Sequence, residues 1–183
     1  MDSTDTVISK AGTEDAQTIV DLSSEVQNAL TASGSLQQIG PLDLQDVKKA
    51  IAAGHCYAIK NNARLVGCAF VIPMTPSVIA EEYEDQSLDI SHHVEPWLYM
   101  HSIMLRPDLQ GRGLGRILID GAVESIEAKH TRGTIFLDCW AGNDKLKAFY
   151  KRVGFDFVQI VPQKDYEVAL FCRKLESRHP EAG

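Results

Sequence analysis

The stretch Gln110-Gly111-Arg112-Gly113-Leu114-Gly115 places glycine at alternate positions from Gly111 onward. Glycine lacks a Cβ, so a ligand can approach its main chain closely, and the free N–H groups at the start of a following helix attract anions. This stretch, here named the glycine turn, therefore predicts a site for a phosphate or pyrophosphate. The glycines alone leave open a second interpretation, a tight strand-to-helix turn without a ligand.

The segments that flank the glycine turn predict a strand-helix-strand unit. Residues 97–105 and 134–140 are apolar and predict strands. Residues 113–127 have helical spacing, with these apolar side chains expected to face inward: Leu114, Ile117, Leu118, Ala122 and Ile126. The connection is long enough for a crossover, so we expect the two strands to be parallel neighbours.

Downstream, the sequence predicts a short capped helix and a closing pair of strands. Asn143 or Asp144 is a suitable helix cap, and Gly154 is a suitable stop after the helix that contains Tyr150. Residues 155–161 and 166–173 have the composition of strands.

The N-terminal part predicts elements that complete a sheet. Residues 6–10 predict a strand, and amphipathic helices are expected from residue 13 and over residues 42–53. Residues 55–60 and 64–72 flank the turn-forming Asn61-Asn62-Ala63 and predict a hairpin.

Residues 74–96 form a polar connection bounded by prolines, and its length favours a functional loop or lid over a simple link. Within it, two histidines, His92 and His93, adjoin an acidic stretch with Glu81, Glu82, Glu84, Asp85 and Asp89. No helical or strand spacing brings these side chains together as ligands, so a solvated loop is favoured over a metal site.

Composition limits the class of protein. A chain of 183 residues with 44% hydrophobic residues predicts one domain over residues 1–183. A net charge of -7 disfavours nucleic acid as a partner. The absence of a signal segment and of a long apolar run predicts a cytoplasmic protein without a membrane anchor. The cysteines, Cys56, Cys68, Cys139 and Cys172, are spaced as reduced core thiols, and no metal site is expected.

Two common phosphate motifs do not fit the glycine turn. A dinucleotide fingerprint that starts at Gly111 requires glycine or alanine where Arg116 stands, and a P-loop requires lysine and then serine or threonine after Gly115. The turn does resemble the Gln/Arg-x-x-Gly-x-Gly/Ala signature of the GNAT superfamily of N-acetyltransferases. Residues 143–155 resemble that family's second cofactor segment, and the resemblance covers residues 97–158.

The resemblance implies an α/β fold, with a mixed central sheet splayed at its middle strands and helices on both faces. It also implies acetyl-CoA as the co-substrate. By this resemblance, main-chain groups of Ile103, Met104 and Leu105 meet the pantetheine arm, and Asn143 lies near its amides. The pyrophosphate is held by the remaining group: Gln110, Gly111, Arg112, Gly113, Leu114, Gly115 and Arg116. Core packing of Ile103 and Leu105, and a plain helix cap at Asn143, are the alternative interpretations.

Tyr150 resembles the family tyrosine that protonates the departing CoA thiolate. A phenol whose reference pKa is near 10 is mostly protonated at neutral pH, as a proton donor should be. The alternative is an ordinary core tyrosine.

A base is also expected, because an ammonium must lose a proton before it can attack. His101 is the predicted base, and Tyr99 lies on the same face by strand alternation. The local sequence resembles the central strand of the serotonin (arylalkylamine) N-acetyltransferases, which has two histidines at these places; Tyr99 is the departure. Glu95, Asp138 and the acidic stretch remain competing candidates.

We therefore expect direct acetyl transfer from acetyl-CoA to a primary amine. The acidic balance of the chain predicts that the acceptor is a small cationic molecule. A covalent intermediate on Cys139 is disfavoured because no nearby histidine in the sequence would activate it. A CoA-binding regulatory module without turnover, an acetyltransferase for protein N-termini or lysines, and an acyl-CoA hydrolase stay open. The sequence is also compatible with a homodimer.

Overall fold

Strands and helices alternate through the part of the chain that this computed structural model describes, residues 5–83 and 88–176. The strands are β1 (Thr6–Lys10), β2 (Cys56–Asn61), β3 (Arg64–Pro73), β4 (Trp97–Leu105), β5 (Thr134–Trp140), β6 (Asp156–Gln163) and β7 (Tyr166–Lys174). The α-helices are α1 (Ala16–Ala32), α2 (Leu44–Ala52), α3 (Pro76–Glu82), α4 (Leu114–Glu127) and α5 (Asp144–Arg152).

The strands form a mixed sheet in the order β1-β2-β3-β4-β5-β7-β6, which confirms the predicted α/β class. β4 and β5 are parallel, as the crossover argument predicted. Their pairing covers only Trp97–Tyr99 and Thr134–Phe136, and β5 continues from there in antiparallel pairing with β7. A short pairing of this kind is what a splay at the middle strands requires.

The chain divides into two compact units. The first consists of Met1–Val71 and His101–Ala122, and the second of Ile72–Met100 and Val123–Gly183. A single domain over the whole chain stays a prediction.

The first unit packs its core between helices and the antiparallel strands β1, β2 and β3. Ile19, Leu22 and Val26 of α1 are buried together with residues of α2, β2 and β3, as the helical spacing predicted. The hairpin between β2 and β3 turns at Asn62 and Ala63, whose φ values of 49° and 63° are left-handed. Such values at both central positions are typical of a two-residue hairpin turn, and they confirm the predicted hairpin.

The second unit buries part of the segment predicted as a polar loop. Residues 74–96 contain the helix α3, which the sequence prediction missed, although Thr75-Pro76 is a recognisable start signal. Thr75 caps α3, because its Oγ1 accepts a hydrogen bond from the Val78 N–H at 3.3 Å. After α3, Tyr83, Leu88 and Ile90 are buried in the unit's core. The segment is therefore more than the polar connection that the sequence predicted. Glu81, Asp89 and His92 are exposed, in agreement with a solvated acidic stretch, and Glu84 and Asp85 lie outside the described residues.

One inward-facing prediction on α4 was also wrong. Leu118, Ala122 and Ile126 are buried, but Ile117 is 44% exposed. Consecutive helix positions are about 100° apart, so Ile117 falls off the apolar stripe that Leu118 occupies.

The four cysteines are buried and free, which confirms that they are core thiols. Within residues 5–83 and 88–176, no helix combines the length and apolar character that a membrane span requires.

Candidate active site

The glycine turn adopts a backbone conformation that favours glycine. Gly111 and Gly113 have φ values of +76° and +82°, and a Cβ built on either would meet no heavy atom within 4 Å. These glycines are therefore needed for the left-handed backbone and not for packing within the protein. The open space beside them gives a ligand direct access to the main chain.

The start of α4 adds anion-binding groups to the glycine turn. The Ile117 N–H donates to the Gly113 carbonyl oxygen at 3.3 Å, so the main-chain N–H groups before Ile117 belong to the unpaired first turn. Such N–H groups, at the positive end of a helix dipole, suit a diphosphate. The residues present thus fit the pyrophosphate of acetyl-CoA.

The basic side chains around the turn differ in whether they form ion pairs with acidic side chains of the protein. Asp108 holds Arg106 with two hydrogen bonds, of 3.1 and 2.9 Å, and Arg116 Nε lies 3.3 Å from Asp120 Oδ2. Within the described residues, Arg112 has no such ion pair and its side chain is exposed. Arg112 and Arg116 were both predicted to contact the diphosphate. Arg112 is the one whose guanidinium forms no ion pair with a described residue.

The end of β4 brings Ile103, Met104 and Leu105 into the same unit as the glycine turn. Ser102 has a φ of 47°, a strained value for a non-glycine residue inside a strand, so the regular alternation of β4 is interrupted just before Ile103. On the neighbouring β3, a Cβ at Gly67 would lie 2.6 Å from the Met104 carbonyl oxygen. Gly67, which the sequence analysis missed, thus lets β3 approach this part of β4 closely.

His101 is half-buried and stacks on Phe70, with the ring centroids 5.5 Å apart. Its Nδ1 lies 3.1 Å from Ser102 Oγ. Burial, and secondarily the charge of His55, lowers the pKa of His101 from 6.5 to about 4. The imidazole is therefore neutral at neutral pH, but it is a weaker proton acceptor than an ordinary histidine.

In the second unit, three side chains form the Tyr83–Tyr99–Asp138 cluster. The hydroxyl groups of Tyr83 and Tyr99 both donate to Asp138 Oδ2, at 2.5 and 2.8 Å. Tyr83 is held near its place because Gln163 Nε2 donates to the Glu82 carbonyl oxygen at 2.9 Å. Tyr99, which stands where the arylalkylamine N-acetyltransferases have a histidine, directs its hydroxyl group to Asp138.

Burial raises the pKa of Asp138 above its ordinary value, while the hydrogen bonds from Tyr83 and Tyr99 act in the opposite direction. The two candidate bases are thus changed in opposite senses by burial: the carboxylate becomes more basic and the imidazole less basic. From the sequence, Asp138 was only one of several candidate bases. Its hydrogen-bond partner Tyr83 lies too far away along the chain for local spacing to predict the contact.

Asn143 and Tyr150 lie at the start and near the end of α5. Asn143 Oδ1 accepts a hydrogen bond from the Leu146 N–H at 2.9 Å, so it is a helix cap. Tyr150 is 4% exposed and its ring contacts those of Phe149, Phe155 and Phe171. Burial, followed by the charges of Cys139 and Asp138, raises the pKa of Tyr150 above its usual value, so its phenol stays protonated.

In the described part of residues 74–96, the acidic and histidine side chains form no convergent ligand set. The His92 and His93 rings are 4.1 Å apart, and His93 packs edge-on against Phe136 with the centroids 5.0 Å apart. Across the described parts of the chain, no group of three or more histidine, cysteine or acidic side chains could hold a metal ion.

Comparison with known proteins defines the family. Residues 25–155 match the family model of the acetyltransferase (GNAT) family. The uncharacterized N-acetyltransferase YesJ of Bacillus subtilis (strain 168) is 30% identical over 149 residues, which cover 79% of this chain and 78% of YesJ. The chain therefore belongs to the GNAT family and is an N-acetyltransferase that uses acetyl-CoA as its co-substrate.

Solved structures share the fold at lower identity. The GNAT-family acetyltransferase of Streptococcus agalactiae 2603 has a TM-score of 0.72 at 21% identity, over 92% of this chain and 94% of that one. The yncA protein of Salmonella typhimurium, solved with its cofactor acetyl-CoA, has a TM-score of 0.66 at 13% identity, over 97% and 99% of the two chains.

Proposed function

We propose that this protein transfers the acetyl group of acetyl-CoA directly to a primary amine of a small cationic molecule. The observation that carries the proposal is the concentration of negative charge in the second unit. Glu82 is half-buried, and burial raises its pKa, with further increases from the charges of Asp138 and Glu81. Carboxylates that oppose one another's ionisation gain from a cationic ligand, and an ammonium group supplies that charge.

Direct transfer is supported by the state of the cysteine nearest to this charge. Burial, followed by the charge of Asp138, raises the pKa of Cys139 to about 12. A thiol with this pKa forms very little thiolate at neutral pH, and the thiolate is the nucleophile that a covalent acetyl-enzyme would require. We therefore assign attack on the acetyl group to the acceptor amine.

The residues proposed for acetyl-CoA are those that the family resemblance implies, and the open main chain of the glycine turn supports them. The glycine turn and Arg116 hold the pyrophosphate, while main-chain groups of Ile103, Met104 and Leu105, with Asn143, meet the pantetheine arm. When bound, acetyl-CoA supplies an acetyl group activated as a thioester. Asn143 serves in addition as the cap of α5, because a helix cap uses its side-chain oxygen and leaves its other groups available.

Tyr150 is the proposed proton donor to the departing thiolate. Its raised pKa keeps the proton on the phenol throughout the working pH range, so the donor is present, but the same rise makes the phenol a weaker acid. His101 was predicted as the base from the sequence, but its pKa of about 4 makes its imidazole a weak proton acceptor at neutral pH.

An amine panel tests the proposal. Thiol release from acetyl-CoA is followed with primary amines, with their N,N-dimethyl counterparts, and with neutral alcohols of the same carbon skeleton. We expect release with cationic primary amines only, and acetylated amine as the product. Peptides with a free N-terminus or a lysine form a separate arm; a preference for them over every small amine would contradict the small-molecule acceptor.

A further inference from the structure

Asp138 is a half-buried carboxylate whose described partners are neutral hydroxyl groups. Both Tyr83 and Tyr99 donate to Oδ2, so this pair does not use Oδ1. The two phenol rings lie edge to face, with centroids 6.3 Å apart, which fixes both hydroxyl groups. An ionised carboxylate has about four acceptor positions, so the cluster retains acceptor capacity.

The charge of Asp138 has no cationic partner within residues 5–83 and 88–176, where no lysine, arginine or histidine forms a salt bridge with it. The titratable groups on which its charge acts are neutral or acidic: Glu82 of α3, Tyr83, Tyr99 on β4, Cys139 on β5 and Tyr150 on α5. A carboxylate withdrawn from water normally needs a paired charge. A bound ammonium would meet that need.

We infer that Asp138 binds the ammonium of the acceptor and removes its proton, with Tyr83 and Tyr99 as positioning residues that hold its carboxylate through Oδ2. This inference rests on the proposed function, because it names the group that recognises the amine in that reaction.

The proton transfers balance without an additional reactant. The ammonium N–H bond breaks and its proton moves to Asp138, which leaves a neutral amine. The amine nitrogen forms a bond to the acetyl carbon as the carbon–sulfur bond breaks, and the sulfur leaves with the electron pair. The thiolate takes the Tyr150 proton. The acetylated nitrogen then releases a second proton. Of this proton and the one held by Asp138, one returns to Tyr150 and the other passes to solvent.

Burial supports this role, because it raises the pKa of Asp138 and so improves the match between the carboxylate and an ammonium proton. The tyrosine hydroxyl groups lower the same pKa, so removing either one should raise it further. This dependence distinguishes the proposed role from a purely structural one.

The first test is Asp138→Asn, with Asp156→Asn as a control on an exposed carboxylate of the same unit. With the best amine of the panel, kcat/KM at neutral pH should fall about 100-fold or more in Asp138→Asn, as expected for the loss of a general base. Calorimetry of that amine on the CoA-bound protein should show about 10-fold or more weaker binding. Asp156→Asn should change neither quantity.

The second test uses Tyr83→Phe and Tyr99→Phe, which keep the rings and remove the hydroxyl groups. The acid limb of kcat/KM should move to higher pH in both variants. Carbon-13 NMR of the labelled aspartate carboxyls, with Asp138→Asn used for the assignment, should show the same rise in the pKa of Asp138. Tyr57→Phe, a buried tyrosine of β2, should leave the limb in place.

The outcomes separate the two proposals. If the wild-type protein acetylates no amine of the panel, the proposed function is wrong. If the wild-type protein acetylates an amine, yet a folded Asp138→Asn protein keeps its rate and amine affinity, the inference is wrong. If Asp138→Asn does not fold, the tyrosine variants decide: an unmoved acid limb in both overturns the inference, and a shift to higher pH in both supports it.

Discussion

The glycine turn and the Tyr83–Tyr99–Asp138 cluster differ in the sign of the charge that each offers to a ligand. The turn offers main-chain N–H groups, exposed to solvent, on a backbone held open by Gly111 and Gly113. The cluster holds one carboxylate away from water with two phenol hydroxyl groups. The glycine turn is thus expected to bind a negatively charged ligand, whereas in the Tyr83–Tyr99–Asp138 cluster the negative charge belongs to the protein.

The two regions are therefore sensitive to different kinds of substitution. A site made of main-chain groups fails when a side chain is added, because the new atoms occupy the ligand's space. A site made of a buried side chain responds to the removal of a single hydrogen bond, since each bond adjusts the pKa of the central group.

The largest effect is expected from Gly113→Asp. The new carboxylate would stand where the diphosphate binds and would repel it, so the Kd for acetyl-CoA should rise beyond the range of calorimetry, about 100-fold or more. Gly34→Asp is the matched control, because Gly34 also has a left-handed φ, of +79°, with no heavy atom within 4 Å of a built Cβ. It should carry the same backbone strain and bind acetyl-CoA normally. If a folded Gly113→Asp protein bound acetyl-CoA with unchanged affinity, the glycine turn would not be the pyrophosphate site.

Tyr150→Phe should lower kcat about 100-fold while the Kd for acetyl-CoA changes little. The lost proton donation occurs only in the transition state, and a thiolate is already a fair leaving group, so the low end of the usual range is expected. Single-turnover rates, with Tyr57→Phe as the control, provide the measurement. An unchanged chemical step across several pH values would exclude the role as a general acid.

A smaller effect concerns stability and the pKa of His101. The native pKa, about 4, lies below the ordinary value of 6.5. The unfolded state therefore binds more protons between these values, and the native state loses stability as pH falls through that window. From about pH 7 to about pH 5, the wild-type free energy of unfolding should fall by about 2 kcal/mol more than that of His101→Gln. Urea titrations check this, with His92→Gln as an exposed control; parallel curves for wild type and His101→Gln would show that the His101 pKa is not depressed.

The smallest effect is expected from salt. Raising the ionic strength until the Debye length falls from about 10 Å toward about 3 Å should increase the KM of the amine more than that of acetyl-CoA. The double variant Glu81→Gln/Glu82→Gln should reduce the dependence of the amine KM on salt, by a few-fold at most. The control variant Asp21→Asn/Glu25→Gln, on α1, should leave this dependence unchanged. Equal slopes in the wild type and the Glu81/Glu82 variant would make these carboxylates irrelevant to the choice of acceptor.

The sequence predicted most of the fold because its strongest patterns are local. Glycines and asparagine mark the ends of α5 and the hairpin of β2 and β3, and these signals act within a few residues. The helix α3 was missed because its apolar residues are few, although Thr75 caps it. Ile117 was misplaced because an apolar residue beside the buried stripe of α4 cannot be told from one within it.

The candidate site was predictable where it depends on a motif and not where it depends on remote partners. The glycine turn and Tyr150 belong to ordered motifs and could be named from the sequence. The hydrogen bonds of Asp138 join residues 55 and 39 positions apart along the chain, so no local pattern contains them. For the same reason, the closeness of Gly67 to Met104 became evident only in the folded chain.

The most direct test of the account measures two products in one reaction. The protein is incubated with isotopically labelled acetyl-CoA and the best amine of the panel, and released thiol and labelled N-acetylamine are quantified together. Direct transfer predicts equal amounts of the two, no thiol release when the amine is omitted, and no label on the protein. Thiol released at the same rate without the amine, or label held on a cysteine, would contradict it.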